Sequence, residues 1–139
     1  MFYYCSKLKE INVSNFKTKN CKSIIYMFGG CESLVSIDML NWDMHKIGID
    51  NIEGLFGDCL SLKSIKMNFD SEKKVFNENK YEDINICFKN YINGIPLRIF
   101  KIKETFEDLP ENGIFIWKKG ANCNELLKKL PVSWNRTQE

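Results

Sequence analysis

Three phrases in the first half of the chain constrain its fold more than any other feature: MFYYCSKL from Met1, MFGGCESL from Met27 and LFGDCLSL from Leu55, set 26 and then 28 residues apart. Self-similarity at a period of this size marks an array of small units, each unable to bury its own apolar side and each covered by the next. Ile24, Met27, Phe28 and Cys31 stand at i, i+3, i+4 and i+7, the spacing of one buried stripe on a helix, and Ile52, Leu55, Phe56 and Cys59 repeat it. The first unit retains only the end of that stripe, Met1, Phe2 and Cys5. After each Cys comes Leu-x-x-Ile-x-(Val/Met): Leu8, Ile11, Val13; Leu34, Ile37, Met39; Leu62, Ile65, Met67. The alternation at its end is the period of a strand with one buried face. Asn and an aromatic close each strand, as Asn15-Phe16, Asn41-Trp42 and Asn68-Phe69, the aromatics reading as a core spine. A unit therefore reads as helix, tight turn, strand and bend. Gly29, Gly30 and Gly57 sit where the helix must stop, and Asp50 with Glu53 suits the start of the third helix.

In the second half the stripe returns in degraded form. Ile84, Cys87, Phe88 and Tyr91 keep its spacing after Asp83, with Leu97-x-Ile99 as the strand analogue and the polar stretch 72–80 as an insertion. Ile114-Phe115-Ile116-Trp117 reads as another short strand. A fifth stripe, Cys123, Leu126, Leu127 and Leu130, is opened by Asn122 with Glu125 and stopped by Pro131. The expected organisation is one continuous domain, with three units over 1–70 and degenerate repeats plus a C-terminal cap over 71–139. Stacked units of this kind bury helix stripe and strand face together, giving a right-handed α/β solenoid with a parallel sheet on one face and short helices on the other.

Composition excludes several classes of function. The net charge is only +2 and basic residues are interspersed with acidic ones, so no electrostatic footprint for nucleic acid is present. No apolar run approaches the ~18 residues of a membrane span, and residues 1–20 carry charges where an export signal needs a bare hydrophobic segment. Six cysteines include no Cys-x-x-Cys, and His45 is the only histidine, so no zinc or haem ligand set is recognisable and no cofactor is expected.

The column Cys5, Cys31, Cys59 is the strongest candidate for chemistry, and its regular placement favours buried free thiols. Stacked residues roughly 5 Å apart with parallel side-chain directions make poor disulfides, and free Cys is among the most buried residue types. A catalytic thiol needs a base and an electropositive, exposed setting, whereas His45 lies in the bend after the second strand. Asp38, Asp43, Asp50, Glu53 and Asp58 recur near one another without the Gly-containing spacing of a calcium loop. Asn12 and Asn135 match glycosylation triplets, which carry weight only in a eukaryotic secretory setting.

MFGGCESLVSIDMLNWD, with its neighbours, resembles the BspA-like leucine-rich repeats of bacterial and protist surface proteins. The resemblance covers residues 1 to about 70, and NGIFIWKKG with LPVSWN resembles the closing segment of such arrays. Cys21 and Ile49 stand where that family usually has Val. The resemblance implies a leucine-rich-repeat-like solenoid and a non-enzymatic role in recognition or adhesion at a cell surface or after secretion, with a protein or glycan as ligand. The alternative is a purely structural spacer or stalk. The outward strand positions are Glu10, Asn12 and Ser14, then Ser36, Asp38 and Leu40, then Ser64, Lys66 and Asn68, with Arg98 extending the series. Of these, Glu10, Asn12, Ser36, Asp38, Ser64, Lys66 and Arg98 are the candidate interaction residues. The first unit exposes an underside of Phe2, Leu8, Ile11 and Val13, which calls for upstream repeats or self-association to cover it.

Overall fold

The computed structural model describes residues 1–69, 105–119, 121 and 123–139, apart from the side chains of Ile49 and Asp50. Four short strands, β1 (Ser36–Met39), β2 (Ser64–Met67), β3 (Ile114–Trp117) and β4 (Asn135–Gln138), form one sheet in sequence order. Every pairing is parallel, with Ser36 beside Ser64, Ser64 beside Ile114 and Ile114 beside Asn135. Alternation in β1 and β2 does what the sequence pattern demands: Ile37, Met39, Ile65 and Met67 are buried, and the intervening residues face outward. The fold is mixed α/β with little helix among the described residues, namely a 3-10 turn at Ile49–Ile52 and α1 (Asn124–Lys128).

The stripes at i, i+3, i+4 and i+7 are buried as expected, yet they are not helices. Between Ile24 and Leu34 the backbone runs through successive tight turns: the N–H groups of Met27, Gly29, Cys31 and Leu34 bond to the carbonyls of Ile24, Tyr26, Phe28 and Cys31. The N–H groups between them point sideways. Those of Ile24, Tyr26, Phe28 and Gly30 bond to the carbonyls of Asn51, Glu53, Leu55 and Gly57 in the next unit. A helix keeps its N–H groups for its own carbonyls, so the lateral ladder and the helix are mutually exclusive. Left-handed positions, two in each of the second and third units, enforce the turns. Tyr26 and Gly54 occupy one, with φ of 52° and 60°, and Tyr4, Gly30, Asp58 and Asp108 occupy the other, between 57° and 73°. Among the glycines read as turn signals, Gly30 is the one with positive φ, whereas Gly29 and Gly57 are not.

Asp108 marks a further unit that the stripe periodicity does not reveal. Phe56 and Asp58 donate their N–H groups to Thr105 and Glu107, so Phe106 lies beside Phe56 and Asp108 beside Asp58, and the segment ends in β3. TFEDLPENGIFIW is therefore the counterpart of LFGDCLSLKSIKM, with Leu109 in the Cys position and Asn112-Gly113 in place of Leu62-Lys63. Ile84, Cys87, Phe88, Tyr91, Leu97 and Ile99 lie outside the described residues.

Two aromatic columns run across the units. Phe2, Phe28, Phe56 and Phe106 stack nearly parallel, with centroids 5.5, 6.1 and 6.1 Å apart. Phe16 stacks on Trp42 at 5.7 Å, and Trp42 and Phe69 are buried, as the spine reading expects. The Trp42 indole N–H donates to the Val13 carbonyl at 2.9 Å.

The first unit departs from expectation at two points. Its Leu8–Val13 segment forms no strand: Asn12 Oδ1 accepts hydrogen bonds from the N–H and hydroxyl of Ser14, an alternative to ladder bonding. Val13, read as uncovered, is 1% exposed because its side chain still turns into the core, while Phe2, Leu8 and Ile11 are half-buried.

At the other end the fifth stripe does form a helix, α1, with Cys123, Leu126 and Leu130 buried. Strand β4 has no sequence signature, because NRTQ lacks apolar alternation, and all four of its residues are exposed. Arg136 occupies the register position of Ile65 and Phe115, and its guanidinium donates to the carbonyls of Trp134, Leu130, Leu127 and Pro131. The apolar column thus ends on a side chain that engages the Leu127 carbonyl in the last turn of α1 and the carbonyls of the segment that follows it.

Candidate functional site

The sheet face collects most of the candidate interaction residues. Register places Asp38 beside Lys66 and Lys66 beside Ile116, while Ser36, Ser64 and Ile114 form the neighbouring column. Lys66 Nζ lies 3.3 Å from Glu139 Oε1 and 4.0 Å from Asp38 Oδ2, so one ammonium bridges a carboxylate on β1 and one just beyond β4. Asp38 is held by its own loop, its Oδ1 accepting the Leu40 N–H at 3.1 Å. Beyond β1, Glu10, Ile11, Asn12 and Ser36 line an open hollow of about 320 Å³. The face is thus polar and charged on the β1 side and turns apolar at Ile114 and Ile116, which are half-buried. Glu139 and the two isoleucines belong to this surface but lie outside the repeat phrases that define the outward positions in the sequence. Arg98 lies outside the described residues.

The cysteines are held by a repeated contact. Cys31 Sγ donates to the Phe2 carbonyl and Cys59 Sγ to the Phe28 carbonyl, both at 3.1 Å, and Cys123 Sγ donates to Phe69 O at 3.0 Å. All three are buried and unbridged. Burial pushes the Cys31 thiol up to about 11, with the neighbouring Cys5 adding to the rise, and pushes Cys59 up to about 12. A nucleophilic thiol needs the opposite shift. Cys5 corrects the buried-column reading: it is exposed, unlike Cys31 and Cys59, whose thiols pack against the carbonyls of the unit before.

His45 pairs with Asp43 through Nδ1, not with a thiol, and that hydrogen bond holds the Asp43 carboxyl below its ordinary range. The pair borders a second hollow of about 260 Å³ with Trp42, Asn68 and Phe69. Among the described residues no group of three His, Cys, Asp or Glu side chains could hold a metal ion, and no helix is long and apolar enough to cross a membrane. Asn12 is tied into its turn with Ser14, and Asn135 is exposed on β4.

A parallel sheet fed by laterally bonded, repeated turns defines a mixed α/β repeat protein. The chain belongs to the family described as Mycoplasma protein of unknown function, DUF285, whose model matches residues 1–93. No curated protein and no solved structure matches the chain.

Proposed function

We infer that the chain is a non-enzymatic recognition module, a right-handed leucine-rich-repeat-like solenoid of a surface or secreted protein that binds a protein or glycan on its sheet face. The observation that carries this reading is the composition of that face: a charged trio of Asp38, Lys66 and Glu139 beside an open polar hollow at Glu10, Asn12 and Ser36. Such a face offers directional donors and acceptors on a rigid sheet, with Ile114 and Ile116 as adjoining apolar area. The raised thiol pKa values and the engagement of His45 by Asp43 support a binding role over nucleophilic catalysis.

The test is an array of glycans and host-surface proteins probed with the whole chain, followed by Ser36→Ala, Asp38→Ala and Lys66→Ala. Loss of a detected ligand with unchanged melting supports recognition through this face. Absence of any ligand favours the second reading, a structural spacer, for which the regular stacking and the Arg136 cap are sufficient.

A further inference from the structure

The bends that follow the strands are joined differently in successive intervals of the array. Between the first two units side chains seal the interval: Thr18 is buried, its hydroxyl accepts the Asp43 N–H at 2.9 Å, and Lys46 Nζ donates to Asn20 Oδ1 at 2.8 Å. Phe16 stacks on Trp42, so Thr18-Lys19-Asn20 of the first unit corresponds to Met44-His45-Lys46 of the second. Met44, in the place of Thr18, brings no oxygen to the next interval, and there the hollow of about 260 Å³ opens. It draws on three bends: Asp43 and His45 after β1, Asn68 and Phe69 after β2, and Ala121 after β3. Trp42, Met44 and Phe69 are buried, whereas Asp43 and His45 are exposed, so an apolar floor carries a polar rim. Three rim atoms have no protein partner among the described residues. Asp43 Oδ1 takes both the backbone N–H and Nδ1 of His45, which leaves Oδ2. A carboxylate only accepts, so Nδ1 carries the proton and the neutral imidazole presents Nε2 as an acceptor. Asn68 Oδ1 accepts the Lys118 N–H at 3.0 Å, which leaves Nδ2 as a donor.

We propose that this hollow, beyond the ends of the strands and apart from the sheet face, binds a single sugar ring. A hydroxyl both donates and accepts, so neighbouring hydroxyls of one ring meet Asp43 Oδ2 or His45 Nε2 on one side and Asn68 Nδ2 on the other, while the C–H face of the ring lies against Met44 and the aromatic floor. The other ligand classes fit less well. An anion meets the Asp43 carboxylate, which the His45 hydrogen bonds hold ionised. An ammonium competes with His45 for that carboxylate and leaves the Asn68 donor without a partner. The volume lies just below the roughly 300–1,000 Å³ of pockets for drug-sized ligands, which limits the occupant to one ring.

The experiment titrates the whole, isotope-labelled chain with the methyl glycosides of glucose, galactose, mannose and N-acetylglucosamine and follows its amide and indole resonances by NMR. With at least one glycoside the resonances of Trp42 to His45, Asn68 and Phe69 shift saturably, with a dissociation constant on the order of millimolar, as a small ligand in an open hollow requires. His45→Ala removes an acceptor from an exposed position, and Asn68→Asp keeps the acceptor for Lys118 while removing the donor. Each weakens binding about fivefold or more and leaves the rest of the spectrum in place. Met44→Thr, which restores the residue of the sealed interval, also weakens it. Lys66→Ala leaves binding unchanged, which separates this site from the sheet face. Absence of a saturable shift with every glycoside at tens of millimolar overturns the proposal. So does binding that His45→Ala, Asn68→Asp and Met44→Thr all leave unaltered. Saturable shifts of the same resonances by acetate or methylammonium, with none by the glycosides, assign the hollow to an ion and overturn it as well.

Discussion

The Cys59 thiol donates to the carbonyl of Phe28, one unit away, across 3.1 Å. The same contact links Cys31 to Phe2, so each cysteine joins two units as a small apolar side chain with one weak donor. Ionising either thiol removes that donor and leaves a charge in the core.

A pH dependence follows. Folding raises both thiol pKa values from an ordinary 9.0 to about 11 for Cys31 and about 12 for Cys59. A group whose folded pKa is raised contributes its full stability below the unfolded value and loses it as pH climbs towards the folded value. Stability should therefore be nearly insensitive to these thiols well below pH 9 and fall between pH 9 and 11, by at most about 1.4 kcal/mol per pH unit for each thiol. Urea denaturation across pH 8 to 11 measures this. Cys59→Ala should show a shallower decline than the parent, and equal slopes would refute the assignment.

Phe56 stands at the middle of the phenylalanine column, fully buried between Phe28 and Phe106. Phe56→Ala should cost about 3–5 kcal/mol in chemical denaturation, whereas Phe2→Ala, at the half-buried end, should cost less than half of that. Equal costs at the two positions would argue against stacking as the source of the stability.

Gly54 combines a left-handed backbone with close approach. Its φ is +60°, and a Cβ there would collide with the Tyr26 ring. Gly54→Ala should destabilise by about 2–4 kcal/mol. Adding Tyr26→Ala should relieve the part due to the ring and leave the backbone part, of about 1 kcal/mol, in a double-mutant cycle.

Trp42 tests a buried polar contact. Trp42→Phe keeps a ring over Phe16 but removes the N–H bonded to the Val13 carbonyl, and should cost about 1–3 kcal/mol. Faster amide exchange in the first unit should accompany the loss, because that bond ties the 13–16 segment to the next unit.

Much of this architecture was legible because repetition samples one environment several times. The strands β1 and β2, the burial of Ile37, Met39, Ile65 and Met67, and the outward placement of Ser36, Asp38 and Lys66 all follow from period-two alternation recurring in register. Helix α1 was legible because its stripe runs up to Pro131, which cannot continue a helix, while Asn122, expected to open it, lies outside the described residues. The turns of the first three units were not. The spacing of Ile24, Phe28 and Cys31 is the same for a helix as for successive turns that bring the same side chains inward. What separates the two is the partner of each N–H, which lies 27 residues away, at Leu55 for Phe28.

What the sequence by itself determined is therefore the identity of the core and of the outward face, since side-chain hydrophobicity and its period are local properties. Tertiary structure decided the rest. It selected turns over helix by offering lateral carbonyls, set Phe106 under Phe56 despite an irregular spacing, and brought Glu139 to Lys66 from the far end of the chain. It also parted Cys5 from Cys31 and Cys59: all three occupy the same place in the repeat, but burial comes from contact with another unit, and the latter two thiols are buried against the Phe2 and Phe28 carbonyls of the unit before.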